Sequence, residues 1–202
     1  MNSRQFLSCM LAGSLAMAMP LRSQEAKPKA PTAEQQAMMQ AWQKAATPGP
    51  NHQLLALLAG RWTFATKLWM EPGAPPESST GTAVYTPLMD GRFIQGEYTG
   101  TFGGMPFRGL GLTGYDNVAQ HFTATWADNM GTSIMLMTGS YDPATRTFTY
   151  KGDMDDMMKP GKKVKVRQIV KVLNDDSHTM EWYETRGGKE VKTMEIAYTR
   201  QK

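Results

Sequence analysis

The sequence predicts an all-β fold: an up-and-down antiparallel β-barrel of about ten strands, preceded by one or two short N-terminal helices. Three observations carry this. From Arg61 onward the apolar period is two rather than 3.6. Turn signals (MDG, FGGM, DNVAQ, DNMG, DPAT, KPGK, NDDS and RGGK) break the chain into short runs about 8–12 residues apart. No helix-period segment lies between those runs, which excludes the crossover connections that parallel strands need. A two-sheet sandwich is the alternative arrangement of the same strands.

The elements follow in order. Residues 1–23 have the layout of a signal peptide. Arg4 supplies the positive start, Phe6 to Met19 is apolar or small, Pro20 breaks the run, and Ser23 precedes the expected cleavage point. The apolar stretch is shorter than the roughly 20 residues of a membrane-spanning helix, so an exported, periplasmic or secreted protein with no transmembrane segment after cleavage is expected. Cys9, the only cysteine, leaves with the leader, so no disulfide is available to the rest. Arg4 and Arg22 leave too, taking the 22 basic residues to 20 against 18 acidic. That balance is too near neutral to indicate a nucleic-acid partner.

Residues 24–31, QEAKPKAP, read as a linker. Residues 32–59 read as a helical segment. Thr32 with Gln35 three positions on forms a capping-box pattern, and Met38, Trp42 and Ala45 or Ala46 share a face. TPGP stops this helix, and Asn51 is placed to cap a second, short one that ends at Gly60. The barrel is expected over 60–202. Its first strand sets Trp62, Phe64, Thr66 and Leu68 on one side. Further strands are expected at 82–88, 91–99, 106–115, 120–127, 132–141, 146–152, 162–173, 178–186 and 190–200.

If the barrel closes, the last strand pairs with the first. Met194, Ile196, Tyr198 and Arg200 alternate onto one face. Arg200 then meets Trp62, and a guanidinium over an indole contributes about 0.5–2 kcal/mol. Gly60 lets the chain leave the short helix in a conformation that other residues disfavour. Gly60, Trp62 and Arg200 are therefore expected to close the barrel.

Gly60-x-Trp62 with Arg200 on the last strand resembles the lipocalin (calycin) signature. TPGPNHQLLALLAGRW, MDGRFI, GLGLTGYD and FTATWADNMGT, in that order, resemble a bacterial family called domain of unknown function 1579. The resemblance runs from about Ala33 to Arg200 and implies a lipocalin-like barrel, with no reaction to carry over. Haem-binding calycins use a histidine inside the barrel. No inward histidine is evident here, so no cofactor is expected.

The residues offer little catalytic chemistry. His52 lies on the short helix, His121 faces away from the Phe122, Ala124, Trp126 row, and His178 sits at a turn; they share no ligand spacing, and no metal site is expected. There is no Gly-x-Ser-x-Gly elbow. RGLGLTGYD lacks the following helix of a phosphate loop, and its glycines suit a strongly coiled strand. Met154, Met157 and Met158 with Asp155 and Asp156 raise Cu(I) binding, although methionine is also a flexible filler. Lys162, Lys163, Lys165, Arg167 and Lys171 form an outer basic stripe.

The rows expected inside are more informative. Phe93, Gln95 and Glu97, then Phe122, Ala124 and Trp126, then Val164 to Val172 with Gln168, then Met180, Trp182 and Glu184 all alternate inward. Polar groups among apolar ones cost several kcal/mol unless hydrogen-bonded. The expected function is binding of a small hydrophobic or amphipathic ligand. Phe93, Trp126, Val170 and Trp182 would form its wall, and Gln95, Glu97, Gln168 and Glu184 would hold its polar end. Two other functions are open: an enzyme using Glu97 with a second carboxylate or Tyr98, and an envelope interaction module docking through Met38 and Trp42.

Overall fold

The computed structural model describes residues 30–71 and 73–202. The expected leader over 1–23, with Cys9, and most of the expected linker over 24–31 lie outside the described residues. Two helices come first, α1 (Ala33–Ala46) and α2 (Pro50–Leu55), and a single 3-10 turn (Ala56–Leu58) follows. Ten strands complete the chain: β1 (Gly60–Leu68), β2 (Glu77–Leu88), β3 (Phe93–Phe102), β4 (Met105–Asp116), β5 (His121–Asp128), β6 (Met135–Asp142), β7 (Thr147–Asp155), β8 (Lys163–Asn174), β9 (Ser177–Arg186) and β10 (Lys189–Arg200). Each pairs antiparallel with its sequence neighbours, and β1 pairs with β10 to close the ring. The fold is an up-and-down ten-stranded barrel, not a sandwich.

Thr32 and Gln35 exchange the two hydrogen bonds of a capping box, which starts α1. Its body buries no residue, and Trp42 is 73% exposed. The helix is fastened at its end instead. Arg92 donates to the Ala46 carbonyl at 2.8 and 3.2 Å, and Asn117 donates to the carbonyls of Ala45 and Thr47 at 3.0 and 2.8 Å. Asn51 is not the cap of α2. Pro50 takes the first helical position, where its missing N–H costs nothing and its fixed φ is helical, and Gly49 precedes it as the cap. The Gly49 N–H donates to His52 Nδ1 at 3.0 Å, and His52 is buried.

β2 begins five residues earlier than expected. Ser78, Ser79 and Thr80 read as loop, but their backbones pair with Lys67, Thr66 and Ala65 of β1. Pairing to a neighbour overrides the low strand propensity of the run.

One end of the barrel is plugged. Leu54, Leu55, Leu57 and Leu58 pack onto the core row of Ile94, Phe122 and Phe148. At β1–β10, Trp62 lies opposite Arg200. The Trp62 indole N–H donates to the Leu58 carbonyl at 2.9 Å. The Arg200 guanidinium lies 4.1 Å above the Trp62 ring and donates to the carbonyls of Ala59 (2.6 Å) and Asp175 (2.6 Å). Gly60 turns the chain between plug and strand at φ +121°, and a Cβ there would fall 2.5 Å from Arg200 Nη1. A side chain there is strained by the backbone conformation and displaces the Arg200 guanidinium.

Gly60→Ala is expected to destabilise the protein by about 1–3 kcal/mol, from backbone strain and displacement of Arg200. Gly131→Ala, where an added Cβ meets nothing within 4 Å, should stay within about 0.5 kcal/mol. Urea unfolding midpoints of the two variants against the parent measure the difference.

Candidate functional site

In-register partners share a face of the sheet, so the interior can be followed strand by strand from Trp62. Trp62 is opposite Ala83, Ala83 opposite Tyr98, and Tyr98 opposite Gly109. The inward row of β3 is therefore Ile94, Gly96 and Tyr98. Phe93, Gln95 and Glu97 lie on the outer face, and Gln95 Nε2 donates to Glu97 Oε1 at 2.6 Å there. This corrects their expected inward placement. The inner row of β3 needs small residues: a Cβ at Gly96 would lie 3.0 to 3.2 Å from the Tyr98 and Tyr85 rings.

The other expected rows do face inward. Trp126 packs edge-on against Tyr98, with ring centroids 4.9 Å apart, and its indole N–H donates to Asp128 at 2.6 Å. Gly109 lies beneath that indole, where a Cβ would come within 2.5 Å of it. That close approach explains part of the glycine-rich GLGLTGYD run. Gln168 and Val170 line the interior. Trp182 packs against both buried clusters. Glu184 is held near the open end by Arg186 at 2.8 Å and by the Thr193 hydroxyl at 3.3 Å. Glu97 outside and Glu184 bound to arginine do not meet, so no carboxylate pair forms for general acid–base work. Met154 packs inward while Met157 and Met158 project into solvent, so these thioethers do not converge on a copper ion.

His178 is the main correction. It is not at a turn but on β9, opposite Tyr198 and only 1% exposed. Its ring stacks on Tyr198 at 4.2 Å and stands edge-on to Trp62 at 4.4 Å. Neither ring nitrogen has a hydrogen-bond partner among the described residues. The alternation that selected Met180, Trp182 and Glu184, carried back one step, reaches His178.

These groups converge on one cavity in the middle of the barrel. Its volume is about 60 Å³, and its polar lining comes from Tyr85, Tyr98, Tyr150, Tyr198, Gln168 and His178. Leu58, Ile94, Ala124, Phe148, Val170 and Met180 supply the apolar walls. The Tyr85 and Tyr98 hydroxyls share a 2.7 Å hydrogen bond. Burial pushes the Tyr98 phenol up to about 12 and raises those of Tyr85, Tyr150 and Tyr198. Burial, assisted by the nearby Arg200 charge, lowers His178 to about 3. At neutral pH the cavity is therefore uncharged, and its phenols can donate hydrogen bonds. The volume admits a few water molecules or a solute of similar size, against roughly 300–1,000 Å³ for drug-sized sites. A macrocycle such as haem does not fit beside His178.

This architecture and this enclosed cavity define a lipocalin-like barrel protein. The family described as protein of unknown function, DUF1579, matches residues 47–200. The chain belongs to that family. The match begins where α1 ends. Among solved structures the chain is similar to Rv2717c of M. tuberculosis, at 15% identity and a TM-score of 0.54, covering 77% of this chain and 100% of that one. That likeness is one of fold. A redesigned beta barrel is similar at 13% identity and a TM-score of 0.39, covering 74% of this chain and 96% of that one. No curated protein matches.

A histidine whose pKa falls from about 6.5 in the unfolded chain to about 3 in the folded one binds more protons when unfolded between those values. Stability should therefore be full above about pH 6.5 and fall as the pH drops towards 3, by up to about 1.4 kcal/mol per pH unit from this one group. His178→Phe is expected to flatten the decline between pH 6.5 and 5. It should not destabilise at pH 7.5, because it removes two unpaired polar atoms. Urea midpoints across that range measure both effects.

Proposed function

We propose that this is an exported binding protein which holds a small amphipathic molecule in the barrel cavity. The observation that carries this is the convergence of Tyr85, Tyr98, Tyr150, Tyr198, Gln168 and His178 on a void inside an otherwise apolar barrel. A purely structural core avoids a buried polar group left unpaired, which costs about 1–3 kcal/mol. His178, unpaired on both nitrogens among the described residues, is the group that most needs an occupant.

The volume sets the ligand class. It is a molecule of a few non-hydrogen atoms with one hydrogen-bonding group, not a long-chain lipid. Tyr98, Gln168 and His178 receive the polar end; Val170 and Phe148 face the remainder. Trp126 and Trp182 stand between the cavity and the open end and restrict entry. The charge-neutral lining favours an uncharged ligand over an ion. The Phe6–Met19 segment supports export.

Native mass spectrometry of the protein purified from its own host tests this. A small organic adduct is expected on the parent protein, at least tenfold reduced in a Tyr98→Phe, Gln168→Leu double variant of unchanged fold. A bare parent mass, together with a crystal structure showing only water around His178, would overturn it.

A further inference from the structure

The end of the barrel opposite the helical plug carries features that ligand storage does not require. In an up-and-down barrel the turns β1–β2, β3–β4, β5–β6, β7–β8 and β9–β10 all gather at one end, opposite the helical plug. Four of those five carry exposed large apolar side chains: Met70, Phe102 with Met105, Ile134, and Met157 with Met158. Met157 and Met158 are 90% and 85% exposed. At the plugged end the exposed large apolar side chains among the described residues are Met89 and Val118 in the turns, Leu173 at the end of β8, and Met38, Met39 and Trp42 on α1. Single exposed apolar residues are ordinary, but a ring of them at one end marks a contact surface.

Basic side chains stand beside the two most exposed of these methionines. Met157 and Met158 are followed at once by Lys159, Lys162 and Lys163. The acids beside them are already engaged: Asp155 by Lys163 at 2.6 Å, and Asp156 by Arg186 at 3.4 Å with little exposure of its own. Lys159 and Lys162 make no ion pair among the described residues. Glu71, in the β1–β2 turn, and Glu77, at the start of β2, are the exposed acids of that turn. The exposed acids of the plugged end, Asp90, Asp175 and Asp176, are each paired with an arginine, Arg92, Arg146 and Arg200.

We propose that the open end docks on an anionic lipid surface. Met157 and Met158 enter the headgroup region, Lys159 and Lys162 meet the lipid charge, and the plugged end faces water. Apolar insertion and attraction to anionic lipid act together in such contacts, each lysine near the surface contributing on the order of a few-fold in partitioning. No described helix is long and apolar enough to cross a membrane, so the contact is made by side chains at the turns. Two different classes of occupant, a second copy of the chain or another protein, would use the apolar ring but leave the lysines beside it without a role.

The test uses the chain from Gln24 onward, which lacks the leader and Cys9, with an environment-sensitive fluorophore attached at Met157→Cys or, separately, at Val118→Cys on the opposite end. Both side chains are exposed, so labelling leaves the barrel intact. Vesicles of equimolar phosphatidylglycerol and phosphatidylcholine are expected to shift the emission of the Met157→Cys label to the blue. Pure phosphatidylcholine should do so much less, and the Val118→Cys label should stay in water with either. Lys159→Glu with Lys162→Glu should weaken the partitioning at least tenfold. Equal behaviour of the two labels, or an unchanged Met157→Cys label, overturns the proposal. So does a blue shift that grows with protein concentration in the absence of vesicles, which assigns the surface to self-association.

Discussion

The pairing of β1 with β10, with Trp62 set opposite Arg200, is the constraint on which the structure depends. It closes the hydrogen-bonded ring, so no strand edge is left to attract another chain. It also fixes parity. A one-residue slip at the seam would turn every side chain of one strand to the other face. The seam is held by more than backbone pairing. Arg200 caps carbonyls of the plug and of the β8–β9 turn while lying on the Trp62 ring. Gly60 brings the plug to that point without backbone strain and without displacing Arg200.

Parity at the seam decides what fills the barrel. Tyr198 points inward two residues before Arg200, so its partner His178 points inward too. Trp62 sends Tyr98 inward through Ala83. The polar cavity is thus a consequence of the same register that places Phe148 and Phe122 in the apolar half of the core. Bulky aromatic rings fill most of the interior, and what is left is small, neutral and lined by hydroxyls.

The architecture was legible in the sequence because the alternation and the turn signals agree strand after strand. All ten strands, the Trp62 row and the Arg200 row follow from residue spacing alone. The interior was legible only where one row was plainly more apolar than the other, as in β5, β8 and β9. In β3 the rival rows are Phe93, Gln95, Glu97 and Ile94, Gly96, Tyr98. The leading aromatic pointed to the first, and the need for glycine beneath Tyr85 settles the second, which only the neighbouring strand reveals. His178 was hidden for a similar reason. It adjoins the polar NDDS turn, and the partners that bury it, Trp62 and Tyr198, are distant in sequence. The outward turn of Met157 and Met158 was visible as composition, but not as one part of a ring.

The most direct measurement of the central claim is the pair of imidazole ¹⁵N shifts of His178, followed by NMR from pH 8 to pH 5. A neutral ring that does not titrate in that range, with an N–H resonance that moves when the bound molecule is stripped out, is the predicted result. A ring that titrates near pH 6.5, as an exposed histidine does, would contradict it: His178 would then be open to water, and the enclosed polar cavity would not exist.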